Sequence, residues 1–319
     1  MRALRLTEWS DRKWLRALRK HYRNWPVAAL QVVSGAVSNR LEIRVLRRLA
    51  RWAAFDRPAS LELRAGFTIL TSDAQHLAGL LDSGWLVHPQ EDLALMEANN
   101  GTRILVRPVD SVGRDLCTLF EVFVRTDYGA DFDGMTVVDI GAGNGDSTIY
   151  FATHGARSVV ALEPDPRNAE LVRRNLSLNL LHDQVHFREE AVTSGARNLE
   201  MQLAIPYAVG HGSNRAADTT KIVRVKAVPI QELLSSLERV DLLKLDVEGA
   251  EYEILGAILP EQWRKISAVR MEFHRGLRNL PQLFESHGFD VVATLDADQG
   301  LLFATKSRMA QPVRLSEAG

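Results

Sequence analysis

From Gly134 onward the chain alternates short β-branched stretches with helical or loop stretches, and this alternation restricts the fold more than any other feature. The strand-like segments are "MTVVDI", "SVVALEP", "QVHFREEAV", "VDLLKLDV" and "AVRMEFH". Strands separated by helical sequence become parallel neighbours, so the pattern predicts an α/β fold with helices on both faces of a mostly parallel sheet. Between the third and fourth segments, "NLEMQLAI" and "IVRVKAV" predict an extra strand pair, joined by a polar loop from Tyr207 to Lys221 and followed by a short helix from Ile230 to Leu237. The end differs in kind. "FDVVATLD", a turn at "ADQG" and "GLLFATK" leave no room for a crossover, so they predict an antiparallel hairpin.

Upstream, residues 1–57 hold 14 Arg and Lys against 4 Asp and Glu, about +10, whereas the whole 319-residue chain is at −1. Apolar positions from Thr7 to Ala54, including Trp9, Leu15, Leu18, Leu46 and Trp52, fall near a helical period that "NWP" interrupts. The reading is a basic helical extension over 1–57, a mixed α/β region over 58–134, the main domain over 135–306 and a tail over 307–319. In the mixed region, strands are predicted near Phe67–Leu70 and at "TRILVRP", and a helix over Asp115–Val124. The apolar run Val27–Val37 is about half of the roughly 20 residues needed to span a bilayer, and no transmembrane or cleaved segment is expected. The single cysteine, Cys117, requires no oxidising compartment, so a cytoplasmic protein is expected. The basic helices leave two options open: packing against the acidic remainder of the chain or a second copy of it, or lying peripherally on an anionic membrane.

The stretch "VVDIGAGNGDS" joins the first strand of the main domain to its helix. Gly141, Gly143 and Gly145 let backbone approach a ligand closely. A dinucleotide fingerprint needs a further glycine where Asp146 stands, and an acid there would face a pyrophosphate. Glu163, at the end of the second strand and 22 residues past Gly141, is placed to accept hydrogen bonds from both ribose hydroxyls of an adenosine. That fits NAD and S-adenosylmethionine equally. The terminal hairpin favours the second, because a parallel sheet closed by one reversed strand is the class I methyltransferase form of the Rossmann-like architecture. Asp139, at the entry of the loop, suits a sulfonium and an amino group better than phosphates.

"VDLLKLDVEGAEYEIL", Val240 to Leu255, has a Lys-x-Asp-x-Glu-Gly-x-Glu core, and with the glycine loop, "FEVFVRTDYG", "EEAV" and "MEFH" the sequence resembles the FkbM family of S-adenosylmethionine-dependent methyltransferases. The likeness covers roughly residues 104 to 306; "GAGNG" departs from the family's usual "GANIG". The resemblance implies O-methylation of a sugar, glycolipid or polyketide-like hydroxyl. It also implies cofactor contacts at Asp139, Gly141, Gly143, Gly145, Glu163, Pro164, Glu190 and Ala191. Lys244, Asp246, Glu248 and His274 are the catalytic candidates, with Asp246 beside the transferred methyl and Asp246, Glu248 or His274 as the general base. A weaker candidate, His211, lies in the loop "GHGSNR".

No resident metal is expected, although Asp246 and Glu272 at neighbouring strand ends keep a Mg²⁺-assisted variant open. A non-catalytic S-adenosylmethionine-binding module is the alternative of another class. Amino-group methylation is disfavoured, because "DVEG" stands where an Asn/Asp-Pro-Pro-aromatic motif would be expected. A nucleic-acid substrate is disfavoured by the acidic main domain.

Overall fold

The computed structural model describes residues 13–29, 59–64, 66, 68–71, 73–109, 114–204, 220–296 and 298–307. Helix Lys13–His21 is followed by a helical turn at residues 25–29. Strands β1 (Ala59–Glu62) and β2 (Thr68–Thr71) form an antiparallel pair. After helix Ala74–Asp82 come β3 (Leu86–Pro89), β4 (Ala94–Glu97) and β5 (Arg103–Val106), a small antiparallel sheet. Only β5 and a strand near β2 are expected from the sequence. The four-residue β3 and β4 and the nine-residue helix are too short to give a clear period, although Asp73 caps the helix by accepting from the His76 backbone N–H.

Helix Asp115–Phe123 leads into β6 (Thr136–Ile140), all of whose residues are buried. The remaining strands are β7 (Ser158–Leu162), β8 (Val185–Arg188), β9 (Ala191–Thr193), β10 (Asn198–Ala204), β11 (Thr220–Pro229), β12 (Val240–Leu245), β13 (Ile266–Phe273), β14 (Phe289–Asp296) and β15 (Gln299–Lys306). Seven of them form one sheet in the order β14-β15-β13-β12-β6-β7-β8. β15 is antiparallel to both β13 and β14, while β12, β6, β7 and β8 pair in parallel with their neighbours. This is the class I methyltransferase sheet, with the terminal hairpin as expected.

The third predicted strand is a correction. It breaks at Glu189 and Glu190 into β8, which stays in the main sheet, and β9, which pairs in parallel with β11. Each acid is drawn into an ion pair, Glu189 with Arg173 and Glu190 with Arg188. β10 and β11 form the expected antiparallel pair. The short helix ends at Ser235.

The described part of the amino-terminal segment is docked onto the body of the protein. Leu18 and Tyr22 are fully buried, the Tyr22 hydroxyl donates to the Ala74 carbonyl at 3.0 Å, and Lys20 pairs with Asp82 at 2.5 Å. The basic cluster Arg40–Arg51, most of the apolar run Val27–Val37, His211 with most of its loop, and nearly all of the tail lie outside the described residues. Among the described residues no helix is long and apolar enough to cross a membrane.

Candidate functional site

Helix Pro166–Leu178 fastens the glycine loop to the lead-in region. Asp165 caps it by accepting from the Arg167 N–H at 2.9 Å, and Pro166 occupies its first turn. From its core-facing side the fully buried Asn175 accepts from the Leu105 N–H at 2.7 Å and donates to the carbonyls of Leu105 (3.1 Å) and Asn144 (2.9 Å). One amide thus ties β5 to the loop. Arg107, just past β5, grips the buried Asp115 through Nε (2.9 Å) and Nη2 (2.7 Å) and donates to Asn168 at 2.8 Å.

The loop itself follows β6. At Gly141 (φ +81°) a Cβ would lie 1.9 Å from the Asp246 carbonyl oxygen, so this position needs glycine both for its conformation and for the closeness of the loop to the end of β12. Gly143 (φ +57°) faces open space instead, where a ligand can touch bare backbone. Gly145 packs on Val172.

Asp139 sits beneath the loop, fully buried, rather than at its mouth. Its Oδ2 accepts from the hydroxyls of Ser147 (2.7 Å) and Thr148 (2.6 Å), and its Oδ1 is 3.0 Å from Lys244 Nζ. Lys244 also donates to the Gly141 carbonyl at 2.6 Å. Burial works against the lysine's charge, but Asp139 and Asp246 outweigh it and raise its pKa, so Lys244 stays a cation. The two residues are register partners on β6 and β12 and form one buried pair that shapes the loop. Asp139, expected among the cofactor contacts, is held here by Ser147, Thr148 and Lys244.

A cavity opens above the loop, lined by Gly141, Gly143, Lys244 and Asp246 together with residues not singled out in the sequence, notably Arg107, Thr118, Tyr128, Asn144 and Asp146. Six carboxylates and two basic side chains line it. Asp146 is 5% exposed, its Oδ1 accepts from the Ser147 N–H at 2.6 Å, and burial pushes its pKa up to about 7. Burial likewise raises the Asp246 carboxyl, against the pull of Lys244.

Glu163 is held by two residues of the cavity wall, Gly143 and Asn168. Its carboxylate accepts from the N–H groups of Gly143 and Asp165, both at 2.9 Å, and from Asn168 at 3.3 Å; burial raises its pKa to about 7. Pro164 adjoins it. Glu190 is paired with Arg188, and Ala191 is buried in a small apolar cluster with Val225 and Ala227.

Glu248 and His274 form a rim beyond the end of β12. His274 Nδ1 is 2.9 Å from Glu251, whose side chain is fully buried, and its Nε2 is 3.4 Å from the 87%-exposed Glu248. The hydrogen bond to Glu251, opposed by burial and helped by Glu248, raises the His274 pKa to about 9. Potential ligand atoms of Asp246, Glu248 and His274 all lie within 4.8 Å of one another. Among the described residues this trio is the group of three potential ligands close enough to share one cation, and Asp246 and Glu272 both line the cavity.

A model of the methyltransferase FkbM domain matches residues 139–291, from β6 through the hallmark to β14. This segment is a methyltransferase FkbM domain. Methyltransferase sdnD of Sordaria araneosa is 27% identical over 191 residues, spanning 49% of this chain and 73% of its own length. Methyltransferase 1 of Beauveria bassiana (strain ARSEF 2860) is 29% identical over 202 residues, spanning 54% and 79%. Methyltransferase FkbM from Methylobacillus flagellatus KT superposes with a TM-score of 0.39 at 14% identity, over 58% of this chain and 47% of that one. The FkbM-domain methyltransferase has S-adenosylmethionine as its cofactor. The residues fit it: the cavity wall is rich in carboxylates, which suits a ligand carrying a sulfonium and an ammonium, and Gly143 leaves the loop bare at its edge.

Proposed function

We propose that this methyltransferase acts on a hydroxyl oxygen of a sugar, glycolipid or polyketide-like small molecule, with Asp246 as the general base. The observation that carries the reading is the position of Asp246: at the carboxyl end of β12, lining the cavity, with its carboxyl raised by burial. When bound, S-adenosylmethionine supplies an electrophilic methyl group. A hydroxyl becomes a competent nucleophile only as it loses its proton, and a carboxylate held against desolvation is a stronger base than one in water. Asp246 accepts that proton. Lys244, fixed as a cation, keeps the local field from becoming prohibitively negative. His274 is protonated at neutral pH and so donates rather than accepts on the rim. Glu163, with Gly143, forms the cofactor's ribose end in this reading.

Incubation with methyl-labelled S-adenosylmethionine and a panel of hydroxyl and amine acceptors, read by mass spectrometry, tests the proposal. Methyl ethers are the expected products, and N-methyl products alone would overturn it. The trio Asp246, Glu248 and His274 favours a second reading, a cation-assisted transfer. A histidine ligand points to Mn²⁺, Fe²⁺ or Zn²⁺ rather than Mg²⁺. Activity lost on chelation and restored by one of these ions selects it. The buried, unpaired Cys117 fits a reducing, cytoplasmic compartment.

A further inference from the structure

The loop after β13 carries two arginines that the site described above does not use. Arg275 and Arg278 both adopt the left-handed backbone conformation, at φ +68° and +46°, which strains any residue with a side chain. Such strain persists only where the surroundings hold it, and it gathers at ligand-binding sites. Here both side chains are held. The Arg275 guanidinium packs on the bare backbone of Gly249, where a Cβ would come within 3.1 Å of its Cζ and Nε. Arg278 donates from Nε to the Arg275 carbonyl at 3.0 Å, and its Cζ lies 4.5 Å from the centre of the Tyr252 ring.

Both arginines are exposed, and neither forms an ion pair among the described residues. The acids beside them are engaged elsewhere, because Glu251 and Glu248 both face His274. Two fixed guanidinium groups therefore stand unpaired next to the rim, while the cavity itself is lined by six carboxylates and two basic side chains. An acceptor with an anionic group is repelled by that interior and attracted to the arginines outside it. Its uncharged hydroxyl end is then the end that reaches Asp246. The planar, forked donors of a guanidinium match the paired oxygens of a phosphate or a carboxylate.

We propose that Arg275 and Arg278 form an anion-binding shelf beside the site, and that the acceptor carries a phosphate or carboxylate group in addition to the hydroxyl that is methylated. The proposal rests on the hydroxyl reading above and adds which end of the acceptor is held outside the cavity.

Inorganic phosphate and malonate probe the shelf without any acceptor, and the tighter of the two names the anion. Calorimetry at low salt, on the full chain saturated with S-adenosylhomocysteine, compares the wild type with Arg275→Gln and Arg278→Gln. Each variant is expected to weaken the better-bound anion by about three- to tenfold, the scale of one exposed charged contact, and raised salt is expected to weaken the wild type as well. S-adenosylhomocysteine affinity, which reports the fold of the site, should change by less than about twofold. Arg278→Gln leaves the contact to Gly249 in place, so the test stands even if Arg275→Gln disturbs that loop. A wild type that binds S-adenosylhomocysteine but neither anion, or variants that bind the anions as tightly as the wild type, overturn the shelf and leave the hydroxyl reading intact. Methyl ethers formed only on uncharged acceptors overturn the substrate class in the same way. Anion binding that both variants weaken, together with N-methyl products alone, supports the shelf and overturns the hydroxyl reading.

Discussion

The hallmark segment splits into two regions that use the same side-chain types to opposite ends. Beneath the glycine loop, Lys244 and Asp139 form a buried pair 3.0 Å apart, Lys244 also donating to the Gly141 carbonyl and Asp139 also accepting from Ser147 and Thr148. On the rim, Asp246, Glu248 and His274 crowd together with Glu248 open to solvent; burial raises the Asp246 pKa, and the hydrogen bond to Glu251 raises that of His274. A fully paired buried charge cannot change state without leaving its partner stranded, so the first region is architecture. A crowded, partly hydrated group can gain or lose a proton at modest cost, so the second is where chemistry is available. Two residues apart at the end of β12, Lys244 and Asp246 therefore fall on different sides of that divide.

The sharpest test is Asp246→Asn. It removes the base but keeps the shape, so turnover is expected to fall by about 10²- to 10⁴-fold, with circular dichroism and cofactor affinity little changed. Turnover that survives would move the chemistry off this carboxylate and erase the distinction.

The complementary change is Lys244→Met, which leaves Asp139 charged and without its cation. Unfolding in urea should show a loss of about 3–5 kcal/mol, the cost of breaking a buried pair from one side. Wild-type stability with abolished turnover would break the comparison from the other direction and make Lys244 a catalytic residue.

Much of this divide is invisible in the sequence. The strand alternation, the terminal hairpin, the turn glycines and the placement of Asp246 at a strand end follow from local pattern, because parallel sheets expose their ligand-binding edge by topology. Which way Asp139 turns does not. Its partner, Lys244, is 105 residues away and meets it only through the register of β6 against β12. Asn175 and Asn144 look like ordinary polar residues of a helix and a turn, yet one ties β5 to the loop and the other points an unpaired donor at the cavity. Asp146 was legible only as an objection to a pyrophosphate. Arg107, Thr118 and Tyr128 come from the lead-in region: Arg107 follows a four-residue strand too short to give a period, and nothing local shows that Thr118 and Tyr128 face the cavity.

The smallest expected effect lies on the rim, where the comparison is most easily sharpened with pH. His274 titrates near 9, and its reference value in an unfolded chain is 6.5. A folded pKa raised above the unfolded one favours the protonated folded state, so the stabilisation is complete below about pH 6.5 and is lost as pH rises through about 9. The groups facing His274 are Glu251, which holds Nδ1, with Glu248 and Asp246 on the other side; the Tyr252 hydroxyl donates to its backbone carbonyl. In His274→Gln the charge is gone, while Glu251 still accepts from the Gly249 N–H at 3.0 Å. Because Glu248 is largely exposed and solvent screens its share, the loss near pH 6 should be only about 1–2 kcal/mol, narrowing towards zero by about pH 10. Urea titrations of both proteins across that range give the curve directly. A gap that stays constant with pH would mean that His274 contributes by packing, and the rim would then resemble the closed pair beneath the loop.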